Sequence, residues 1–362
     1  MSSPSASWRL PPKESFRPTE QQSAETSLSW TIQSRLVRAE VQSLGGMLGP
    51  AWFSLGDKEV QPFAIAPWSD EAGPEYEKLP PLLRGLRGEW PCVPFGMAEA
   101  RPNLPLDWVP DRSAPVGYID PDLHGYGSNA HWELVHLEPA RIQLVVEYPQ
   151  THPIRRLVRT ITASEGSPTL HISLLVESRE ACDLPIGVHP TVRLPDSPRM
   201  ASLAFGGSPR AWTAPTQFEP GISRLKSDVR SVLLTQLPED ITRLPLENPT
   251  EELVLVVGHH GSARLTNRVE NYSMSLSWDP AVFPSCLVWL SNRGRDYYPW
   301  NRRFLGLGIE PIRAAFDLGT TVSRSRNNPL WRSGIPCTYS FSPAQDLETT
   351  YSISVTELRP GS

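Results

Sequence analysis

Long apolar runs are missing from this chain. No segment approaches the roughly 20 apolar residues of a membrane span, which excludes a helical membrane protein. The first residues, Met1 to Thr26, are rich in Ser, Pro and Gln and lack the stretch of about 7–15 apolar residues that a signal peptide needs. A cytoplasmic protein is expected, with residues 1–29 as a flexible tail. Basic blocks are missing too. The 34 Lys and Arg face 39 Asp and Glu, a net charge of −5, so neither nucleic acid nor membrane is an expected partner. Cysteine is scarce: Cys92, Cys182, Cys286 and Cys337 stand far apart with no CxxC. This gives no zinc site or disulfide framework and fits reduced thiols. The last absence is of uninterrupted helical windows. With 39 prolines and 24 glycines, and a cost of roughly 3 kcal/mol per proline in a helix interior, the composition favours strands and turns.

What is present is alternation with period two. Residues 141–148, 170–177, 272–278 and 351–357 place apolar side chains at every second position, as half-buried antiparallel strands do. Turn clusters at 206–209, 258–261 and 291–294 separate such stretches. A helix within 70–83 is cut short by Pro74, Pro80 and Pro81. No repeat or composition break divides the rest, so residues 30–362 are expected to form one mainly β domain, a large antiparallel sandwich. The 12 tryptophans suit either sugar faces or the packing of such a core.

Chemistry is concentrated in four places. Glu310 is a lone carboxylate in Phe304-Leu-Gly-Leu-Gly-Ile-Glu-Pro-Ile312, and desolvation there raises its pKa towards the range useful to a general base. His189 sits between Val188 and Pro190 in an apolar stretch that keeps an imidazole mostly neutral. His124 precedes Gly125, which leaves its ring uncrowded, and Arg87 lies in a rigid Pro-rich path ending Pro94-Phe-Gly96. Taken singly, each also fits a satisfied core histidine, an exposed loop residue or a surface ion pair. His259-His260 lies in a turn and makes no metal motif, and Gly45-Gly46 lacks the context of a phosphate loop. There is no GxSxG or HExxH.

In order, Arg87-Gly with Pro94-Phe-Gly96, His124-Gly, Gly187-Val-His-Pro190, Trp278-Asp-Pro280 and Gly308-Ile-Glu-Pro311 resemble the aldose 1-epimerase (galactose mutarotase-like) family. The resemblance spans about Ala51 to Asp317. It implies a β-supersandwich and an isomerase that needs no metal or organic cofactor and acts on a small-molecule sugar or sugar phosphate. Position by position, it implies Glu310 as the base at the anomeric hydroxyl and His189 as the acid at the ring oxygen. It also implies His124 and Arg87 as substrate-binding residues, with Asp240 standing for the family's substrate-binding Asp. The His-Pro step is similar to the branch that includes hexose-6-phosphate epimerases, although Thr191 stands where that branch has an aromatic. Two alternatives remain open on the residues alone. One is a non-catalytic carbohydrate-binding protein. The other is a different carbohydrate-active enzyme, such as a lyase using Tyr297 or Tyr298 near Arg295.

Overall fold

The computed structural model describes residues 28–98, 100–110 and 117–358. The expected N-terminal tail lies outside the described residues as far as residue 27, and Ser29 already opens a strand. All four alternating segments fall in one nine-stranded sheet, as Arg141–Glu147, Thr169–Ser178, Tyr272–Trp278 and Leu347–Glu357. Its order runs from Arg243–Leu244 through Ala201–Phe205, Ser262–Asn267, Tyr272–Trp278, Leu347–Glu357, Thr169–Ser178, Ile154–Ala163 and Arg141–Glu147 to Glu133–Glu138. The ladders are antiparallel. One-sided burial causes the alternation: Ile142, Leu144 and Val146 are buried, whereas Gln143 and Val145 between them stay half-exposed.

The second large sheet has eight strands. Thr250–Val257, Ser285–Asn292 and Leu305–Arg313 form its centre. Arg210–Thr213 and Val232–Leu233 extend one side, and Ile186–Val188, Thr191–Arg193 and Pro91–Cys92 the other. Its inner face, with Val254, Val256, Val288, Leu290, Leu307 and Ile309, shares one apolar cluster with the nine-stranded sheet. A four-stranded sheet between Ser29 and Val60 adds Ile32, Val41 and Phe53 to that cluster. The outer face carries Leu253, Leu287, Trp289 and Ile312, which pack with Trp68, Leu82, Trp90, Phe95, Trp300 and Phe304 in a second cluster. Many of the tryptophans are therefore packing residues of this outer layer.

Short helices at Pro74–Glu77 and Pro81–Gly85 confirm that the prolines limit the helix there to single turns. The turns at 206–209 and 258–261 are present, with Gly207 and Gly258 at φ of 69° and 73°, values that suit glycine. The cluster at 291–294 differs. Ser291 and Asn292 close the strand Ser285–Asn292, because Ser291 Oγ donates to Glu251 Oε1 at 2.9 Å and Asn292 Nδ2 to Asn248 O at 2.7 Å. Partners on a neighbouring segment override their turn preference. The four cysteines are unpaired. No helix among the described residues is long and apolar enough to cross a membrane.

Candidate active site

The strand Leu305–Arg313 decides where the site lies. Its pleat sends Leu307 and Ile309 into the inner core and Glu310 and Ile312 to the outer face. Two short strands pair with it in one continuous register, Gly187 opposite Ile312 and Thr191 opposite Gly308. The same register carries His189 across from Glu310. Pro190 and Pro311 have no N–H to give, so the ladder opens at this step and the two side chains face each other. His189 Nε2 and Glu310 Oε1 are 3.3 Å apart, with His189 5% and Glu310 1% exposed.

Each member is held from behind. His189 stacks on Trp90, with ring centroids 4.2 Å apart and planes 14° apart, and its backbone N–H donates to Trp90 O at 2.9 Å. Nδ1 lies 3.1 Å from Thr191 Oγ1, and a proton on Nδ1 donated there leaves Nε2 to exchange a proton with Glu310. Gly308 makes room for the carboxylate, since a Cβ at that position would lie 2.1 Å from Glu310 Oε1. Gly308→Ala is therefore expected to displace Glu310 and lower turnover of any reaction the pair catalyses by about 100-fold. Paired thermal melts and initial rates check this, and an unchanged rate would show that the carboxylate position is not critical.

His124 reaches the same place from a loop. Its backbone adopts φ of 58°, its N–H donates to Gly96 O at 2.8 Å, and its Nδ1 accepts from Gly96 N at 3.3 Å. That leaves Nε2–H as a donor. The ring stands perpendicular to His189, with centroids 5.1 Å apart. Burial pushes Glu310 well above the ordinary carboxylate range, and the negative Asp317 adds to this. Burial lowers His189 well below 6.5, helped by His124, and lowers His124 to about 4 while Asp317 pulls the other way. The arrangement therefore favours an uncharged His189–Glu310 pair sharing one proton, flanked by a neutral His124.

These three side chains line one cleft of about 340 Å³, together with Arg101, Asp317, Arg295, Trp90, Trp289 and Trp300. Two expected residues are not there. Arg87 lines a separate pocket with Asp70, Tyr76 and His131, and its Nε donates to Gly85 O at 3.0 Å. It follows Leu86, which does line the cleft, so successive side chains diverge to opposite sides of the segment. Asp240 accepts from Thr242 N at 3.0 Å and Thr242 Oγ1 at 2.5 Å, shaping the turn before Arg243–Leu244 at the sheet edge. The cleft's second carboxylate, beside Glu310, is Asp317, gripped by Arg101 through Nε to Oδ1 at 3.2 Å and Nη2 to Oδ2. No local pattern marks these two residues. The only hint is Gly96, where a Cβ would sit 3.1 Å from the Asp317 backbone. The tyrosines do not favour a lyase base: burial pushes Tyr297 up to about 12, and its hydroxyl donates to Glu219 Oε2 at 3.1 Å.

Neither a protein-family model nor a curated protein sequence matches the chain. Solved structures do. A proposed aldose 1-epimerase from Escherichia coli K12 superposes with a TM-score of 0.62 at 18% identity, covering 91% of this chain and 99% of that one. An aldose epimerase homologue from C. elegans gives 0.58 at 16% identity, with 92% and 100% covered. A galactose mutarotase-related enzyme from Lactobacillus acidophilus gives 0.58 at 12%, also with 92% and 100% covered. At these identities the likeness shows the fold: the chain is a galactose mutarotase-like β-sandwich.

Proposed function

We propose that the chain is a member of the aldose 1-epimerase family and interconverts the anomers of an aldose by acid–base ring opening in this cleft. One observation carries the reading. His189 Nε2 and Glu310 Oε1, both buried, stand 3.3 Å apart in a cleft that His124 also lines, and Trp289 Nε1 of the same lining has no hydrogen-bond partner among the described residues. Buried polar atoms without partners are rare in folded proteins. The exchangeable proton of the pair and a free indole N–H complement hydroxyls, which both donate and accept.

Ring opening removes a proton from O1 and supplies one to O5, so an acid and a base must serve the same sugar together. The shared proton first moves from Glu310 to His189 Nε2, 3.3 Å away; the Glu310 carboxylate then takes the O1 proton while that Nε2 proton passes to O5, and the C1–O5 bond breaks. This leaves an open-chain aldehyde beside a protonated Glu310 and a neutral His189. After rotation about C1–C2, Glu310 returns its proton to the carbonyl oxygen and His189 takes the O5 proton, closing the ring on the other face. Burial favours the uncharged pair, which is also the form that accompanies the aldehyde, so the pair regains its favoured protonation state as the ring opens. His124 Nε2–H remains a neutral donor to a sugar oxygen throughout.

The rate is expected to be flat across neutral pH. It falls on the acid side only below 6.5, when a second proton reaches His189, and on the alkaline side when the pair loses its single proton from Glu310. Optical rotation of fresh α-D-glucose and α-D-galactose, followed from pH 4 to 10, tests both points. Mutarotation no faster than buffer across several aldoses overturns the proposal, and saturable binding without it would leave a carbohydrate-binding protein.

A further inference from the structure

The electrostatics of the cleft restrict what kind of sugar fits. Its two guanidiniums each already face a carboxylate. Arg101 spends Nε and Nη2 on Asp317 and Nη1 on Phe218 O at 3.1 Å. Arg295 donates through Nε to Glu219 Oε2 at 2.9 Å, has Nη1 3.7 Å from Glu251 Oε2, and lies over the Trp300 ring at 4.4 Å. Asp317, Glu219 and Glu251 thus outnumber the two arginines, and both lowered histidines are neutral. Carboxylate–guanidinium pairs present donors and acceptors side by side, which matches hydroxyls. A phosphate offers acceptors only; it would have to displace Asp317 from Arg101 and would meet Arg295 beside Glu219 and Glu251.

Much of the remaining lining is apolar. Leu82 and Leu83 of the helical turn Pro81–Gly85, with Leu79 and Leu86 flanking it, stand with Met97 and Leu123 along the cleft. Leu82 and Leu86 are buried, whereas Leu79, Leu83 and Leu123 are half-exposed and Met97 is 39% exposed. A bare pyranose, hydroxylated around its rim, would strand hydroxyls against this wall.

We infer that the substrate is an unphosphorylated aldose bearing an apolar substituent, an alkyl, acyl or deoxy position away from C1, which lies against the leucine wall. This rests on the cleft being the sugar site proposed above. C1 must stay free because ring opening needs its hydroxyl. Each methylene buried on the wall is expected to raise affinity about fourfold. A phosphate beside the Asp317 and Glu310 carboxyls that line the cleft is expected to lower it at least tenfold.

The experiment compares D-glucose, its 3-O-, 4-O- and 6-O-butyl ethers, and D-glucose 6-phosphate on the full chain. Catalysed mutarotation is followed by proton NMR and affinity by calorimetry. The expected result is one ether at least tenfold better than glucose in kcat/KM and Kd, with the phosphate at least tenfold worse. Phosphate binding as tight as glucose, or no ether better than glucose, overturns the inference. The same order of affinities with no turnover of any sugar supports the inference and overturns the catalytic reading, so the two failures are separable. Leu83→Asn, on the half-exposed part of the wall, should cut the ether-to-glucose ratio at least fivefold. An equal loss on both sugars would assign Leu83 a structural role and count against the wall as a subsite.

Discussion

Glu310→Gln is expected to abolish anomerisation and to stabilise the protein in the same step. The amide keeps the shape of the carboxyl but cannot take or return a proton, so the rate should fall by about 100- to 10,000-fold, the usual range for a positioned acid–base group. The stability gain follows from burial. Glu310 is held well above 4.5 in the folded chain by desolvation and by Asp317. A carboxyl raised on folding stabilises the fold fully below its unfolded pKa, and that contribution is lost as pH rises through the folded value. At pH 8 the native protein therefore carries a cost that Gln does not, and the variant should be more stable by about 0.5–2 kcal/mol, within the range of single stabilising changes. Near pH 4, where the carboxyl is protonated in both states, the two proteins should melt together. Thermal melts at pH 4 and 8, with initial rates from polarimetry, measure both halves. A variant that is inactive but no more stable at pH 8 would mean that Glu310 is ionised at little cost in the folded chain.

That conflict between placement and stability also explains which features could be read from the sequence. Gly308-Ile-Glu-Pro311 and Gly187-Val-His-Pro190 were visible because they break local rules: a carboxylate and an imidazole stand among apolar residues, each followed by a proline. The strand Arg141–Glu147 was visible because one face is wet. Ser285–Asn292 shows no such alternation because the inner core takes Cys286, Val288 and Leu290 while the outer cluster takes Leu287 and Trp289. Arg101 and Asp317 form their pair across 216 residues, and no window of sequence contains both. Arg87 was visible as an unusual residue, but only the fold shows that it points away from the cleft while its neighbour Leu86 points in.

Arg159→Met is expected to be the most destabilising single change in the scaffold, costing about 3–5 kcal/mol. Arg159 and Glu89 are both fully buried, and Arg159 Nη2 donates to Glu89 Oε2. Tyr351 donates to Glu89 Oε1 at 2.5 Å, and Arg159 Nη1 also donates to Gly46 O. The network joins separate layers. Arg159 comes from the strand Ile154–Ala163 and Tyr351 from Leu347–Glu357 of the nine-stranded sheet, while Glu89 bridges to Leu48 in the N-terminal sheet. Burial pushes Glu89 up, and Arg159 and Tyr351 hold it down, so removing the guanidinium leaves a desolvated carboxyl with one hydrogen bond. Adding Glu89→Gln removes the stranded charge and should recover more than half of the loss, because an uncharged pair no longer bears the desolvation penalty. Urea denaturation of the two single variants and the double variant gives the coupling energy directly. Glu89 immediately precedes Trp90, on which His189 stacks, so the loss should extend to the site. Anomerisation by folded Arg159→Met should fall with His189 misaligned and return in the double variant. Additive losses in the three unfolding curves would show that Glu89 and Arg159 act independently.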